Sequence, residues 1–163
     1  MEIRPLLAED WTMVKTIYEL GIATGIATFE TSAPSWEKWA DNHLPYGRLV
    51  AKVNGQVTGW AALTAVSNRC IYQGVAEVSV YVHPQFQGQG VGQSLLKQLI
   101  FESEANGIWT LHAAIFRENI GSIKLHQKVG FRMIGYREKI GKLHGVWKDN
   151  VLMERRSSVV GTD

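Results

Sequence analysis

Three observations predict a mixed α/β (α+β) domain built on a mostly antiparallel sheet. Strand-period and helix-period runs follow one another along the 163 residues in the order β-α-α-β-β-β-α-β-α-β-β, which gives about seven strands and about four helices. Two of the strand runs are separated only by Asn54-Gly55, a pair that takes positive φ readily and so closes tight hairpins. One strand, glycine turn and helix between residues 77 and 107 supply the crossover that a parallel neighbour needs.

Residues 1–6, with Ile3 and Leu6, read as a short edge strand ended near Pro5 and Ala8-Glu9-Asp10. Asp10 is placed to cap a helix whose apolar face is Met13, Val14, Ile17, Tyr18 and Leu20. Residues 21–34 are irregular. Ser35 caps a second helix through Trp36, Trp39, Ala40 and His43, and Pro45-Tyr46-Gly47 stops it. Residues 48–53 and 56–65 form the predicted hairpin, and a looser segment, 66–74, follows.

Val78, Val80 and Val82 alternate through the strand at 77–82, which His83-Pro84 closes because proline has no amide to donate. After the turn at 87–92, the apolar residues Val91, Leu95, Leu96, Leu99 and Ile100 mark a helix that Asn106-Gly107 terminates. Residues 110–115 read as a buried strand and 119–129 as a short helix ended by Gly130. Two last strands, 131–139 and 143–153, are joined through Gly141-Lys142. The domain is taken as residues 1–155, with 156–163 as a solvated tail whose character begins at Glu154-Arg155-Arg156.

Composition narrows the function. Seventeen Lys+Arg against 15 Asp+Glu give a net charge of +2, too slight for a nucleic-acid surface. The lone Cys70 excludes an internal disulfide and offers no zinc cluster, and none of the five histidines falls in a recognised ligand spacing, so no metal is expected. Glu2, Arg4, Glu9, Asp10 and Lys15 interrupt any apolar start, so neither a signal segment nor a membrane span can be drawn. The expectation is a cytoplasmic protein with neither a membrane nor a nucleic-acid partner.

The chemistry concentrates at Gln87-Gly88-Gln89-Gly90-Val91-Gly92. A strand that feeds a glycine turn and then a helix N-terminus gathers free N–H groups and the positive end of the helix dipole into an anion site. A dinucleotide fingerprint fails, because the sixth position counted from Gly88 is Gln93, and no Gly-Lys-Ser/Thr exists for a nucleotide-triphosphate loop. Gln87-x-x-Gly90-x-Gly92 instead resembles the pyrophosphate signature of the GCN5-related N-acetyltransferases (GNAT). The element order is similar to that fold over nearly the whole chain. The resemblance implies acetyl-CoA as co-substrate, with its pantetheine arm between two splayed central strands. The alternative is a glycine-rich connection with no ligand.

Four further stretches resemble the phosphinothricin and methionine-sulfoximine acetyltransferase branch: Ala27-Thr28-Phe29-Glu30-Thr31 with Pro34, residues 77–82, Asn119-x-x-Ser122-x-x-x-His126, and Leu143-His144-Gly145-Val146-Trp147-Lys148-Asp149. That branch acetylates the amine of small amino-acid-like toxins. The resemblance assigns pantetheine pairing to the backbone of Val80, Tyr81 and Val82. It assigns pyrophosphate binding to Gly88, Gln89, Gly90, Val91, Gly92 and Gln93, with Gln87 leading the signature, and CoA contacts to Asn119 and Ser122. Glu77 matches a general base and His126 a histidine also discussed for catalysis. Substrate contacts fall to Phe29, Arg69, Tyr72, Val78 and Ser79, although the loop Ser67-Asn68-Arg69-Cys70-Ile71-Tyr72 lacks the branch's Arg-Pro pair. A homodimer is implied too, for which six tryptophans and the C-terminal strand pair offer surface.

Plainer readings stand beside these. Glu77 also fits a solvated strand-end carboxylate, and His126, sharing a helix face with Ser122, Leu125 and Val129, equally fits a packed core histidine. Cys70 has no helix terminus or neighbouring histidine to activate it. Amine acetylation needs a proton acceptor, since an amine of pKa about 8–10 is mostly protonated at neutral pH, and Glu77 at the head of the central strand meets that need. The function expected is a small-molecule N-acetyltransferase acting by direct attack. A peptide or protein N-terminal acetyltransferase and a non-catalytic acetyl-CoA-binding module are the alternatives.

Overall fold

The computed structural model describes residues 1–163. It contains strands β1 (Glu2–Pro5), β2 (Leu49–Val53), β3 (Gln56–Ala65), β4 (Val75–Val82), β5 (Thr110–Phe116), β6 (Arg132–Leu143) and β7 (Val146–Arg156). The helices are α1 (Trp11–Ala23), α2 (Trp36–Asn42), α3 (Val91–Ala105) and α4 (Ile120–Lys128). The strands form one seven-stranded sheet in the order β1-β2-β3-β4-β5-β7-β6. Every neighbouring pair is antiparallel except β4 and β5.

That parallel pair shapes the molecule. Val75, Ala76 and Glu77 lie opposite Thr110, Leu111 and His112, and there the pairing stops. Beyond it β4 stays with β3 as far as Val82 opposite Gly59, while β5 stays with β7 as far as Phe116 opposite Asn150. The two central strands therefore diverge and leave a gap in the sheet, as the family resemblance implied.

Apolar residues face both sides, so β3 is buried along most of its length rather than alternating. On one side Leu95, Leu96 and Leu99 of α3 pack onto Ala61, Leu63, Ala76, Leu111 and Met153. On the other, Val14 and Ile17 of α1 and Trp39 of α2 pack with Val50, Trp60 and Ala62. The first group reaches the gap itself, where Val78, Ala113 and Ile115 form part of its lining.

Most predicted elements are present, with instructive differences. Asn54 (φ 51°) and Gly55 (φ 81°) close the β2–β3 hairpin as their sequence predicts. Ser35 caps α2 by accepting from the Lys38 N–H at 3.3 Å. Asp10, by contrast, does not cap α1 with its side chain. It accepts from Arg4 Nη1 and Nη2 at 2.7 and 2.8 Å and from the Leu7 N–H at 2.9 Å, fastening β1 to the short 3₁₀ turn Ala8–Asp10.

The last hairpin turns at His144 (φ 48°) and Gly145 (φ 79°), not at Gly141-Lys142. Gly141 lies inside β6, where a Cβ would come within 2.9 Å of the Phe29 ring, so close packing and not turning explains its glycine. The predicted tail also begins too early. β7 runs through Arg156, Arg155 pairs with Glu104 at 2.9 Å, and the buried Ser157 donates its hydroxyl to Glu104 at 2.8 Å.

Candidate active site

A cleft of about 1280 Å³ passes through the gap where β4 and β5 part. One end is the glycine turn. Gly88 (φ 74°) and Gly90 (φ 83°) occupy the left-handed region, and a Cβ at either would meet no atom within 4 Å. Gly90 is the N-cap of α3 and caps it with no side chain. None of the backbone N–H groups from Gly88 to Gln93 donates to another protein group. Six consecutive free amides at the start of a 15-residue helix fit a pyrophosphate through both hydrogen bonds and dipole.

Two members of the turn also hold it in place. Gly92 packs α3 onto α4, since its Cβ would lie 2.9 Å from Leu125 Cδ2. Gln89 is the one member of the turn outside the cleft wall, and its Nε2 donates back to the Gln85 carbonyl at 2.9 Å. Gln87, Gly88, Gly90, Val91, Gly92 and Gln93 all line the cleft.

The middle is β4. Val80 and Val82 pack toward the α3 core, as does the buried Val78, and all three line the cleft. Glu77, Ser79 and Tyr81 alternate onto the other face. The Tyr81 ring stacks on Trp60 with centroids 4.8 Å apart and meets Tyr18 at 4.9 Å, and burial pushes its phenol up so that it stays protonated. Tyr81 thus shapes the wall by its ring and keeps a neutral phenol beside Thr28, another residue of that wall.

Glu77 stands where the β4–β5 pairing ends. Its side chain is exposed toward the cleft, and partial desolvation by the cleft walls pushes its pKa up. The charges of His112 and Arg137 pull the other way without cancelling that rise. His112 is its partner across the parallel pair, and His112 Nε2 lies 3.5 Å from Glu154 Oε2, which completes a polar row with Arg132 at 2.9 Å from Glu154.

The far wall is α4. Asn119 is its N-cap, accepting from the Ser122 N–H at 3.2 Å while its Nδ2 donates to the Ile26 carbonyl at 3.2 Å. His126 is 3% exposed, its Nδ1–H donates to the Ser122 carbonyl at 2.7 Å, and its ring meets Phe131 edge-on at 5.1 Å. Burial holds the imidazole below its usual pKa and therefore neutral. These contacts are those of a packed histidine whose Nδ1 is committed to its own helix.

Phe29 closes the site from the α1–α2 connection, its ring edge-on to Phe116 at 4.6 Å. Tyr72 lines a separate hollow of about 330 Å³ with Val75, His112 and Glu154, beside Glu77 on the same face of the sheet. Arg69 stands over the Tyr72 ring at 5.6 Å and lines neither space. Sequence reasoning missed Lys124 and Lys128, which line the cleft from one face of α4, although their spacing of four in a helix that opens on Asn119 could have revealed them. It missed Asn150 as well, for which β7 carries no signal.

The acetyltransferase (GNAT) family model matches residues 4–131. Phosphinothricin N-acetyltransferase of Alcaligenes faecalis is 35% identical over 162 residues, 94% of this chain and 81% of that protein. The L-methionine sulfoximine/L-methionine sulfone acetyltransferase of Salmonella typhimurium is 37% identical over 111 residues, 68% of this chain and 65% of that protein. Among solved structures, a GNAT superfamily phosphinothricin acetyltransferase from Sinorhizobium meliloti in complex with acetyl-CoA superposes with a TM-score of 0.89 at 30% identity. The match covers 99% of this chain and 91% of that one.

Proposed function

The chain belongs to the acetyltransferase (GNAT) family, and on that premise we propose that it transfers the acetyl group of acetyl-CoA to the amine of a small amino-acid-like acceptor of the phosphinothricin or methionine sulfone type. The observation that carries the reading is the place of Glu77: a carboxylate at the point where the central strands part, between an amide-lined cleft and the hollow beside Tyr72.

The residues present suit acetyl-CoA. The free amides from Gly88 to Gln93 would hold the pyrophosphate, and the unpaired edge of β4 from Val80 to Val82 would take the pantetheine amides. Lys124 and Lys128 add positive charge to the same wall. When bound, acetyl-CoA supplies an acyl group activated as a thioester. Glu77 accepts the proton of the acceptor's ammonium, directly or through one water, and its raised pKa makes it a stronger base than an ordinary carboxylate. A backbone N–H on the free edge of β4 donates to the carbonyl oxygen as negative charge grows there. Ser79, on the same face of β4 as Glu77, has a hydroxyl with no basic hydrogen-bond partner to activate it, so direct attack by the amine is the reaction proposed, with no covalent enzyme intermediate.

Two supporting assignments go with this reading. Exposed Ile140, Val146 and Trp147 on the C-terminal hairpin suit a homodimer interface. The single exposed, unpaired Cys70 suits a reducing, cytoplasmic setting.

The test is an acceptor panel with acetyl-CoA, read as free thiol released. Turnover of L-phosphinothricin, L-methionine sulfone or L-methionine sulfoximine supports the proposal. Preference for peptide N-termini would replace the acceptor, and tight acetyl-CoA binding without any turnover would make the protein a binding module.

A further inference from the structure

Asn150 poses a problem that the reaction described so far does not solve. It is 8% exposed, lines the cleft, and its Oδ1 is buried with no hydrogen-bond partner. A buried polar atom left unpaired costs stability, and of the three in this structure, Trp39 Nε1, Trp60 Nε1 and Asn150 Oδ1, only that of Asn150 belongs to a residue of the cleft wall. No hydrogen bond fixes which end of this carboxamide faces the cleft, and a half-turn about its last torsion exchanges Oδ1 for Nδ2.

The neighbours define what it could bind. Asn150 lies between Phe116 on β5 and Arg137 on β6, so an aromatic ring, a carboxamide and a guanidinium form a row across three adjacent strands. Phe29 packs on the Phe116 end of that row. Arg137 is exposed and joins none of the chain's seven ion pairs. Directly after it the register of β6 breaks, with Lys139 at φ 47° and its N–H held by Asp149 at 2.7 Å. Bulges of this kind re-aim the side chains beside them.

The row lies four residues along β5 from the Glu77–His112 pair, about 13 Å at the strand rise. Arg137 lines neither the cleft nor the hollow, but it lies directly opposite Asn150, which lines the cleft, and its charge acts on the Glu77 carboxyl. An acceptor of amino-acid length bridges the interval only with the Glu77 side chain extended toward it from one end and the Arg137 side chain from the other.

We propose that Asn150 and Arg137 form the subsite for the far end of the acceptor, an oxygen-bearing acid or sulfone group on an amino acid whose amine is deprotonated at Glu77. This rests on the acetyltransferase reading above. Phe116 and Phe29 flank the acceptor's methylene chain, while the carboxamide N–H and the guanidinium donate to its terminal oxygens.

The test compares L-methionine sulfone with L-norleucine, which has a purely apolar far end, in the parent and in Asn150→Leu and Arg137→Met. The parent should prefer the sulfone, and each variant should lower the ratio of the two kcat/KM values by about 10- to 100-fold, mainly through KM for the sulfone. Asn150→Leu should also raise the melting temperature by about 2–4 °C, because it removes the unpaired atom. Arg137→Met, at an exposed position, carries the kinetic test should the Leu variant fold poorly. A ratio unchanged in both variants overturns the subsite. If the parent acetylates neither compound, the acetyltransferase reading falls first, and calorimetry with L-methionine sulfone then decides the subsite alone. Weaker binding by the variants sustains it, and equal or absent binding overturns it.

Discussion

The Nδ2 of Asn119 donates to the carbonyl of Ile26 at 3.2 Å, fastening the first turn of α4 to the connection that follows α1. Its Oδ1 meanwhile caps the helix at Ser122, so both ends of the carboxamide are engaged within the protein. The cleft is walled by two segments 93 positions apart in sequence that this one side chain holds together.

Glu77→Gln keeps the shape of the side chain but cannot accept a proton. Turnover should fall by about 10²- to 10⁴-fold while the acetyl-CoA Kd, measured by calorimetry, stays within a few-fold of the parent. Because desolvation raises the Glu77 pKa, activity of the parent should be lost as pH falls through a value above the ordinary carboxylate range. In the variant that acid limb should be missing, and the rate deficit should shrink as pH rises toward the pKa of the amine. Rates within a few-fold at pH 7 would place the base elsewhere.

Gly90→Val sets a branched side chain at φ 83° on the wall of the cleft, in open space. Two effects should follow: a loss of about 1–2 kcal/mol of stability from the left-handed backbone, and a larger loss of acetyl-CoA affinity. Gly107 is the control, with φ 78° and no neighbour within 4 Å, but at the opposite end of α3. Gly107→Val should show the stability loss alone, and equal affinity for acetyl-CoA in both variants would remove the glycine turn from the site.

Asp10→Asn tests the fastening of β1. The Arg4 hydrogen bonds, against an opposing contribution from burial, hold the Asp10 carboxyl below the usual carboxylate range. A pKa lower in the folded than in the unfolded chain contributes stability above the unfolded value of about 4, and that contribution is lost as pH falls through the folded one. Urea denaturation should show the variant about 1.5–3 kcal/mol less stable at pH 7, with the gap closing below about pH 4. A gap that persists undiminished in strong acid would assign the loss to packing.

Trp147→Glu addresses assembly. Trp147 is half exposed on β7, with Lys142 Nζ 4.7 Å from its ring centroid. If the hairpin is a homodimer face, sedimentation should show a concentration-dependent dimer for the parent and a monomer for the variant. A parent that stays monomeric at all concentrations would end that assignment.

What could be read from the sequence depended on how local the deciding contacts are. Asn54-Gly55, Ser35 and the strand, turn and helix around Gly90 act within a few residues, and each stands where the pattern puts it. Gly141 misled because glycine serves turns and close packing alike, and the ring that requires it, Phe29, is more than a hundred residues earlier. The tail was misjudged for a similar reason: Arg155 and Ser157 read as solvated until Glu104 on α3 is placed beside them. Of the cleft lining, the strand and turn residues were legible from motif and period. Lys124 and Lys128 had a signal in their spacing along α4, whereas Asn150 reaches the cleft only through the way β7 packs beside the gap.

The short pairing of β4 with β5 has one further consequence. Past Glu77 and His112 the molecule carries two unpaired strand edges facing each other within its own sheet. Open edges are where chains recruit one another into aggregates. A co-substrate seated between them would complete the ladder, and at 100 times its Kd any such ligand adds about 2.7 kcal/mol to folding. The supply of acetyl donor in the cell would then govern how long each copy of this protein survives, as well as how fast it works.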